Sequence, residues 1–335
     1  MSDLAAFSRS PAEGDARPLA SVLRRVASVT LPVFTVVAVI VLIWYLAAAG
    51  MNRAWTLDQA GRRGLELTVG EVIADTLNQD RPVLPTPHQV FTELWNTTLG
   101  EPVMRERRGE LQGNPRNLVF HAYHTLAPTL MGFLIGTFLG VLLAVGIVHN
   151  RAMSMSVMPW AIASQTIPIL AIAPIIVVVV SNLPALNAAV DNGMISEEMI
   201  LSIPKALISS YLSFFPVVVG MVAGLRSPNA TDLDLMRTYA ASRYQTFWKL
   251  RLPASIPFLF TSLKVSIAAA LVGTIVAELP TGARFGLGAR LLTGSYYGQT
   301  IQIWSALFMS AICAATLVVM LGVIEKLVLK RMGQP

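Results

Sequence analysis

The sequence predicts an all-α membrane protein with six transmembrane helices. Of its 335 residues, 54% are apolar and 13% are charged, and the apolar residues cluster in six long stretches. About 20 apolar residues in a helix span the ~30 Å hydrocarbon core of a bilayer. Soluble domains carry about 25% charged residues. The composition therefore argues against an ordinary cytosolic enzyme and against a disordered chain.

Each apolar stretch is too long for a strand and lacks the alternation of one. Backbone groups in lipid must bond within their own segment, so helices are expected. The first stretch follows about thirty polar residues without a small-residue cleavage site, which favours a retained anchor over a removed signal peptide. The predicted spans are residues 31–49, 125–148, 157–180, 200–225, 256–279 and 301–324.

Positive charges predict the orientation. Arg and Lys concentrate in the N-terminal arm, in the fourth-to-fifth connection and in the tail, whereas the short opposite connections carry Lys205, Arg284 and Arg290. The positive-inside rule then places both termini in the cytoplasm. The predicted organisation is a cytoplasmic arm at 1–30, the first span at 31–49, a periplasmic loop at 50–124 with short helices at 66–79 and 90–99, a five-helix core at 125–325 with a cytoplasmic loop at 226–255, and a tail at 326–335.

No motif for catalysis or nucleotide binding occurs in the sequence. GxSxG, HExxH and a glycine-rich fingerprint are missing, and no Gly-Lys pair could form a P-loop. We therefore expect no catalysis by this chain and no cofactor in it; if ATP drives it, another subunit binds the nucleotide. Metal is not predicted, because His121 and His124 supply two ligands and Cys313 has no zinc-type partner. Basic runs interleaved with aromatics, typical of nucleic-acid binding, are also missing.

Charged side chains inside the predicted spans are rare. Lys264, about two turns into the fifth span, is the one clear candidate, and Glu278 and Glu325 lie at span edges. Secondary transporters generally carry acidic groups near the midplane, and none is found there. Lys264 either attracts anions in a path or extends toward the cytoplasmic surface.

The connection after the fourth span is the most informative segment. It reads RSPNATDLDLMRTYAASRYQTFWKLRLPASIP and is too polar to enter lipid. Thr231 or Asp232 can cap a first short helix, and a second short helix is predicted over 242–250. Pro253 and Pro257 then fit the first turns of the fifth span.

Residues 241–253 of that segment, ASRYQTFWKLRLP, resemble the EAA loop of permease subunits of ABC importers, most closely in the nitrate, sulfonate and taurine branch. Four other runs resemble that branch in the same order: LPTPHQVF, the run from His121 to Phe133 with Thr125 in the place of a serine, SQTIPILAIAP, and AELPTGARFGLG. The resemblance covers most of the chain from residue 84 onward. It implies the type I ABC importer permease fold in a bacterial inner membrane.

The resemblance implies that the loop is a coupling helix seated on an ATPase. Asp234, Leu235 and Met236 stand where the family has Glu-Ala-Ala, and Ala240 stands in the place of the turn glycine. Glycine there would permit a left-handed turn between two helices, so the sharpness of the turn stays open. The implied coupling residues are Asp232, Asp234, Tyr239, Ala240, Ala241, Ser242, Arg243, Tyr244, Trp248 and Pro253.

Prolines in the third span mark candidates for a substrate path. Pro168 and Pro174 remove backbone donors and free carbonyl groups where irregular backbone lines a cavity; a kinked packing helix is the equal alternative. The candidates are Ser164, Gln165, Thr166, Pro168, Ser210, Tyr211 and Lys264. A GxxxGxxxG pattern, which favours close helix packing over a substrate role, is formed by Gly132, Gly136 and Gly140.

These observations together predict a permease subunit that moves a small organic solute, sulfonate-like or pyrimidine-like, by alternating access. The partners implied by the resemblance are two ATPase subunits that bind ATP and Mg²⁺, a periplasmic solute-binding protein and a second copy of this chain. Two alternatives come from other classes of protein. One is a secondary transporter that works without an ATPase, and the other is a membrane scaffold without a path.

Overall fold

A computed structural model describes residues 17–107, 110–194 and 196–333, so most of the predicted N-terminal arm, including Arg9, lies outside the described residues. The chain divides into two compact units, one up to Gln89 and one from Val90 onward. The helices are α1 (Arg17–Arg63), α2 (Val69–Leu77), α3 (Pro87–Trp95), α4 (Leu118–His149), α5 (Arg151–Ser164), α6 (Ile169–Ser181), α7 (Pro184–Asp191), α8 (Glu197–Leu225), α9 (Ala230–Thr238), α10 (Arg243–Thr246), α11 (Leu252–Glu278), α12 (Leu287–Tyr296) and α13 (Thr300–Arg331).

Among the described residues, five helices are long and apolar enough to cross a membrane: Thr30–Arg63 within α1, α4, Met199–Leu225 within α8, the continuous helix Arg243–Glu278, and α13. The pair α5 and α6 passes the same test together but is bent by 97° at its break. The chain is a multi-pass membrane protein, and the predicted all-α membrane class is confirmed.

The direction of the packed helices shows how the bent pair is used. Along α4, Gly132 lies against Ser209 of α8, and Gly140, further along, lies against Val217. Contacts that advance together along both helices mean that α4 and α8 run parallel. The chain must therefore return through α5, α6 and α7 before α8 begins. With the bent pair counted as one span, the described residues contain six candidate spans.

Small residues bring the central helices of the second unit close together. Gly224 of α8 lies against Ser255 of α11, and Gly273 of α11 lies against Ser209 of α8, so these two helices run antiparallel. Lipid tails are as apolar as leucine, so membrane helices associate through close van der Waals contact. Larger side chains then fill the space beside these contacts, including Met221, Leu225 and Ile267, which are buried.

The first unit is held together by buried amide side chains. Asn52 of α1 is fully buried, and its Oδ1 accepts from the backbone N–H groups of Val83 and Leu84 at 2.9 and 3.1 Å. Its Nδ2 donates to the carbonyls of Thr76 and Leu84 at 3.3 and 2.9 Å. Buried polar groups that find all their partners fix one arrangement of the chain. The segment after α2 is therefore tied to α1.

The amphipathic helix predicted over 66–79 is shorter, and a capping box begins it. The backbone N–H of Thr68 donates to Glu71 at 2.8 Å, and the N–H of Glu71 donates to the Thr68 hydroxyl at 3.5 Å. These hydrogen bonds to Thr68 lower the pKa of the exposed Glu71 carboxyl.

The predicted helix at 90–99 is instead α3, which begins at Pro87, followed by a π-helical turn over Asn96–Gly100. No strand is expected from the sequence, yet β1 (Met104–Arg107) and β2 (Glu110–Gly113) form an antiparallel hairpin with Met104 opposite Gly113. Three of the four residues of β1 are charged, and Leu111 is the one large apolar residue of β2, so the alternation that signals a strand is missing.

We predict that Gly136→Ala destabilises the protein by about 1–3 kcal/mol, because overpacking forces neighbours to move. A Cβ at Gly136 would lie 2.1 Å from the Ser213 hydroxyl and 2.8 Å from the Ser210 carbonyl. The matched control is Gly50→Ala in α1, where a Cβ meets nothing within 4 Å. Thermal unfolding in detergent is the measurement. Equal melting temperatures for the two variants would contradict close packing of α4 on α8.

Candidate functional site

The loop between α8 and α11 begins with the short helix α9. The Asn229 side chain accepts the N–H of Asp232 at 2.9 Å and caps the helix. The prediction that Thr231 or Asp232 is the cap is therefore wrong by two or three residues. All three types of side chain can cap a helix, and here Asn229 has the extended backbone that a cap requires.

A left-handed residue ends α9. Ala240 has φ of 50°, and among the described residues it is the one non-glycine residue with positive φ. Its N–H donates to the Arg237 carbonyl at 2.8 Å, and the N–H of Ala241 donates to the Met236 carbonyl at 2.9 Å. This pair of bonds is a Schellman motif, which normally takes glycine at the left-handed position. The sharp turn that the sequence left open is present, at the cost of strain on an alanine.

The segment after the turn continues directly into the fifth span. Ser242 caps α10 in a capping box with Gln245, and a π-helical turn over Phe247–Arg251 joins α10 to α11. The predicted separate helix at 242–250 is therefore wrong, because Arg243–Glu278 is one helix of 36 residues. Pro253 follows the π-helical turn. Because proline has no N–H, residue 253 does not form the α-helical hydrogen bond to the carbonyl four residues earlier.

Large aromatic side chains of the loop face outward. Tyr239 is 77% exposed, Tyr244 72% and Trp248 51%, and the rings of Tyr244 and Trp248 lie 6.0 Å apart. Leu235, one turn before Tyr239, is also exposed. Exposed apolar groups gathered on one segment indicate a surface for a partner. Among the other predicted coupling residues, Asp234 pairs with Arg237 at 2.8 Å.

A buried ionic cluster lies at the far end of the same helix. The Glu278 side chain is fully buried, and its Oε1 lies 3.5 Å from Nζ of Lys205 in α8. The Thr125 hydroxyl of α4 donates to Oε1 at 2.9 Å, and the N–H of Gly288 donates to Oε2 at 2.7 Å. A buried carboxylate needs such partners, because isolated burial of its charge is very costly. Four helices thus meet at one carboxylate.

The first turn of α12 is capped by the other helices of this cluster. The N–H of Leu287 donates to the Thr125 hydroxyl at 2.8 Å, and the N–H of Gly286 donates to Nδ1 of His121 at 3.1 Å. Nε2 of His121 donates to the Pro115 carbonyl at 2.8 Å. The His121 side chain therefore holds the backbone at Gly286 and Pro115 in place. Among the described residues, no group of three or more potential metal ligands occurs.

This cluster is not predicted from the sequence. Lys205, expected in an outer connection, lies in α8 and is 5% exposed, so the prediction that Lys264 is the one charged residue in a span is wrong. Glu278 lies at the edge of the fifth span as expected, but its full burial is not predicted from the sequence. A lone lysine within the apolar run IPKALI is the signal that pointed to a buried partner.

The break between α5 and α6 gathers most of the predicted path residues. Ser164 ends α5, Gln165 and Thr166 form the bend, and Pro168 precedes α6. The Tyr211 hydroxyl of α8 donates to the Ser164 carbonyl. Nε2 of Gln165 is buried and has no hydrogen-bond partner among the described residues. This segment therefore combines irregular backbone with a polar group that can still bind a ligand.

Two predicted path residues lie in other contacts. Lys264 pairs with Glu325 of α13, and its side chain is 33% exposed, so it ties α11 to α13. Ser210 is buried in α8, and its carbonyl faces Gly136 of α4. The structure thus brings five of the seven candidates together and separates these two.

Comparison with known proteins identifies the family. A family model described as "Binding-protein-dependent transport system inner membrane component" matches residues 136–334, which is more than half of the chain. The chain belongs to this family. The match begins within α4 and includes the bent pair, the loop between α8 and α11, and the buried cluster except for Thr125 and His121.

The permease is also similar to individual curated proteins. The formylaminopyrimidine transport permease protein of Halalkalibacterium halodurans is 32% identical over 169 residues, covering 50% of this chain and 60% of that relative. The riboflavin transport system permease protein of Chloroflexus aurantiacus is 27% identical over 210 residues, covering 63% and 71%. The nitrate import permease protein of Leptolyngbya laminosa is 25% identical over 203 residues, covering 60% and 63%. The family in general implies an ATPase and a substrate-binding protein as partners.

We predict that Glu278→Gln destabilises the permease by about 3–5 kcal/mol, because it leaves the Lys205 charge buried without a partner. Adding Lys205→Met to Glu278→Gln should restore part of the loss. Thermal unfolding in detergent measures both. Asp234→Asn, which breaks a pair whose side chains are 64% and 80% exposed, is the control and should cost at most about 1 kcal/mol. A Glu278→Gln variant as stable as the control would refute the buried pair.

We predict that Ala240→Gly stabilises the turn by about 1 kcal/mol, because glycine adopts positive φ without strain. Hydrogen exchange of the amides of Ala240 and Ala241 should slow. Ala241→Gly is the matched control: Ala241 has no positive φ, so added chain freedom should leave exchange unchanged or faster. Faster exchange in Ala240→Gly would mean that the turn does not depend on this conformation.

Proposed function

We propose that this chain forms the translocation path of an ATP-driven importer for a small organic solute. The observation that carries the proposal is the continuous helix Arg243–Glu278, which joins an exposed aromatic loop to a buried cluster at its other end. A partner that moves the loop moves the whole fifth span, since one helix transmits displacement along its axis. Alternating access needs such a connection between the ATPase and the part of the permease that opens and closes the path.

In this proposal a separate ATPase binds ATP and Mg²⁺. It contacts the exposed side chains of Leu235, Tyr239, Tyr244 and Trp248. The absence of any P-loop sequence supports this division of labour. Both termini and the loop would lie in the cytoplasm, and residues 50–124 would face the periplasm and a solute-binding protein. A homodimer would place the path at its two-fold axis.

The proposed passenger is sulfonate-like or pyrimidine-like. Printed names of similar proteins include formylaminopyrimidine, riboflavin and nitrate as solutes. The residues at the bend, Ser164 to Pro168 with Tyr211, carry hydroxyl, amide and aromatic groups and no charge. Such groups suit a weakly held solute that a binding protein selects beforehand.

The experiment is uptake by proteoliposomes that contain the permease, its ATPase and its binding protein, with a sulfonate and a pyrimidine as solutes. Tyr239→Ala should lower uptake at least about tenfold while ATP hydrolysis continues. In the proposed complex the ATPase covers Tyr239, and truncating a tyrosine that a partner covers costs about 1–2 kcal/mol or more of binding free energy. Tyr296→Ala, which alters an equally exposed tyrosine at the end of α12, should leave uptake unchanged.

Two outcomes would contradict the proposal. Uptake by the permease alone, without ATPase or ATP, would establish a secondary transporter instead. Unchanged coupling in Tyr239→Ala would remove the loop from the ATPase interface.

A further inference from the structure

A basic cavity of about 490 Å³ lies between the coupling loop and the ends of two long helices. His149 lines it from the C-terminal end of α4, and Arg237, Arg243 and Arg251 line it from α9, α10 and the start of the fifth span. We refer to it as the arginine cavity. It lies in a single compact unit of the chain. Of its lining residues, Ala241 and Arg243 are among the predicted coupling residues, but neither is part of the exposed apolar surface on which the ATPase is proposed to sit.

The charges around this cavity are only partly balanced by the protein. Of the side chains described along its wall, none is acidic. Arg237 is paired with Asp234, but within the described ranges neither Arg243 nor Arg251 forms an ion pair. Arg237 and Arg243 are exposed and Arg251 is half-buried, and like charges that face one cavity repel one another. An anion bound between them would relieve this repulsion.

The side chains around the arginine cavity are of the kinds that bind phosphate groups. Each guanidinium presents a planar fork of N–H donors that matches two phosphate oxygens. The His149 ring is fixed on the same wall, because its Nδ1 donates to the Val145 carbonyl at 2.8 Å and the ring packs edge-on against Phe247 at 5.1 Å. A volume of this size accommodates a phosphate together with the group that it esterifies.

The cavity is also placed where a membrane surface is expected. His149 is the last residue of the α4 span, and Arg251 is the last residue before α11. The loop reaches these ends through Arg237 and Arg243, which belong to other elements. One bound group would therefore join loop and spans.

We propose that the arginine cavity binds a phosphate-type anion, which fastens the coupling loop to the ends of α4 and α11. Two sources share this chemistry, the headgroup of an anionic phospholipid and a soluble phosphate compound. Either source neutralises Arg243 and Arg251. The proposal stands or falls independently of the solute that the permease carries.

The test uses the purified full-length permease in detergent. One arm adds phosphatidylglycerol and counts bound lipids by native mass spectrometry, with phosphatidylcholine as the uncharged comparison. The other arm measures binding of radiolabelled inorganic phosphate by equilibrium dialysis at constant ionic strength. We expect one saturable site in at least one arm. Saturable binding of the lipid alone assigns the site to a lipid headgroup, and saturable binding of inorganic phosphate alone assigns it to a soluble phosphate compound. Saturable binding of both ligands means that the phosphate group itself is recognised.

Variants separate the cavity from general surface charge. Arg243→Gln combined with Arg251→Gln should weaken binding by at least about tenfold, since charge-assisted hydrogen bonds are lost. Arg331→Gln removes an equal kind of charge from the exposed end of α13 and should bind as the wild type does. Arg243→Lys with Arg251→Lys keeps the charge but loses the forks, and should weaken binding to a smaller extent. Absence of saturable binding in both arms, or equal affinity in the glutamine double variant and Arg331→Gln, would overturn the proposal.

Discussion

Close backbone contact between α4, α8 and α11 is the constraint on which the second unit depends. Water contributes no driving force between helices inside a bilayer, so their association rests on van der Waals contact and internal polar bonds. Glycine and serine at the contacts allow that approach, as where Gly220 of α8 lies against Ser262 of α11. The same approach brings Lys205, Glu278 and Thr125 within bonding distance. Packing of small residues and burial of the charged pair are therefore one arrangement.

Much of the fold could be predicted because bilayer thickness dictates helix length. The spans were recognisable from apolar stretches alone, and the loop after α8 from its polarity and its family motif. The bend between α5 and α6 had a local signal in Pro168. The hairpin β1–β2 had none, because Arg105 and Glu106 at its strands give no apolar alternation. The sidedness of the membrane stays a prediction.

The site was less predictable, because its contacts join residues far apart in sequence. Glu278 and Lys205 are separated by 73 residues, and no local pattern states which lysine meets which carboxylate. Local choices were ambiguous for another reason: Asn229, Thr231 and Asp232 are all good caps, and backbone conformation selects among them. The left-handed Ala240 shows that two well-placed hydrogen bonds outweigh a backbone preference of about 1 kcal/mol.

The helix Arg243–Glu278 has a mechanical consequence. With 36 residues and a rise of 1.5 Å each, it is a rod of about 54 Å. Tilting such a rod by about 5° about one end shifts its other end by roughly 5 Å, close to one helical turn. A lever of this length needs only a small angular stroke at the loop to pull Glu278 out of register with Lys205. The length of this helix, more than the force applied to it, would then determine how far its end at Glu278 moves.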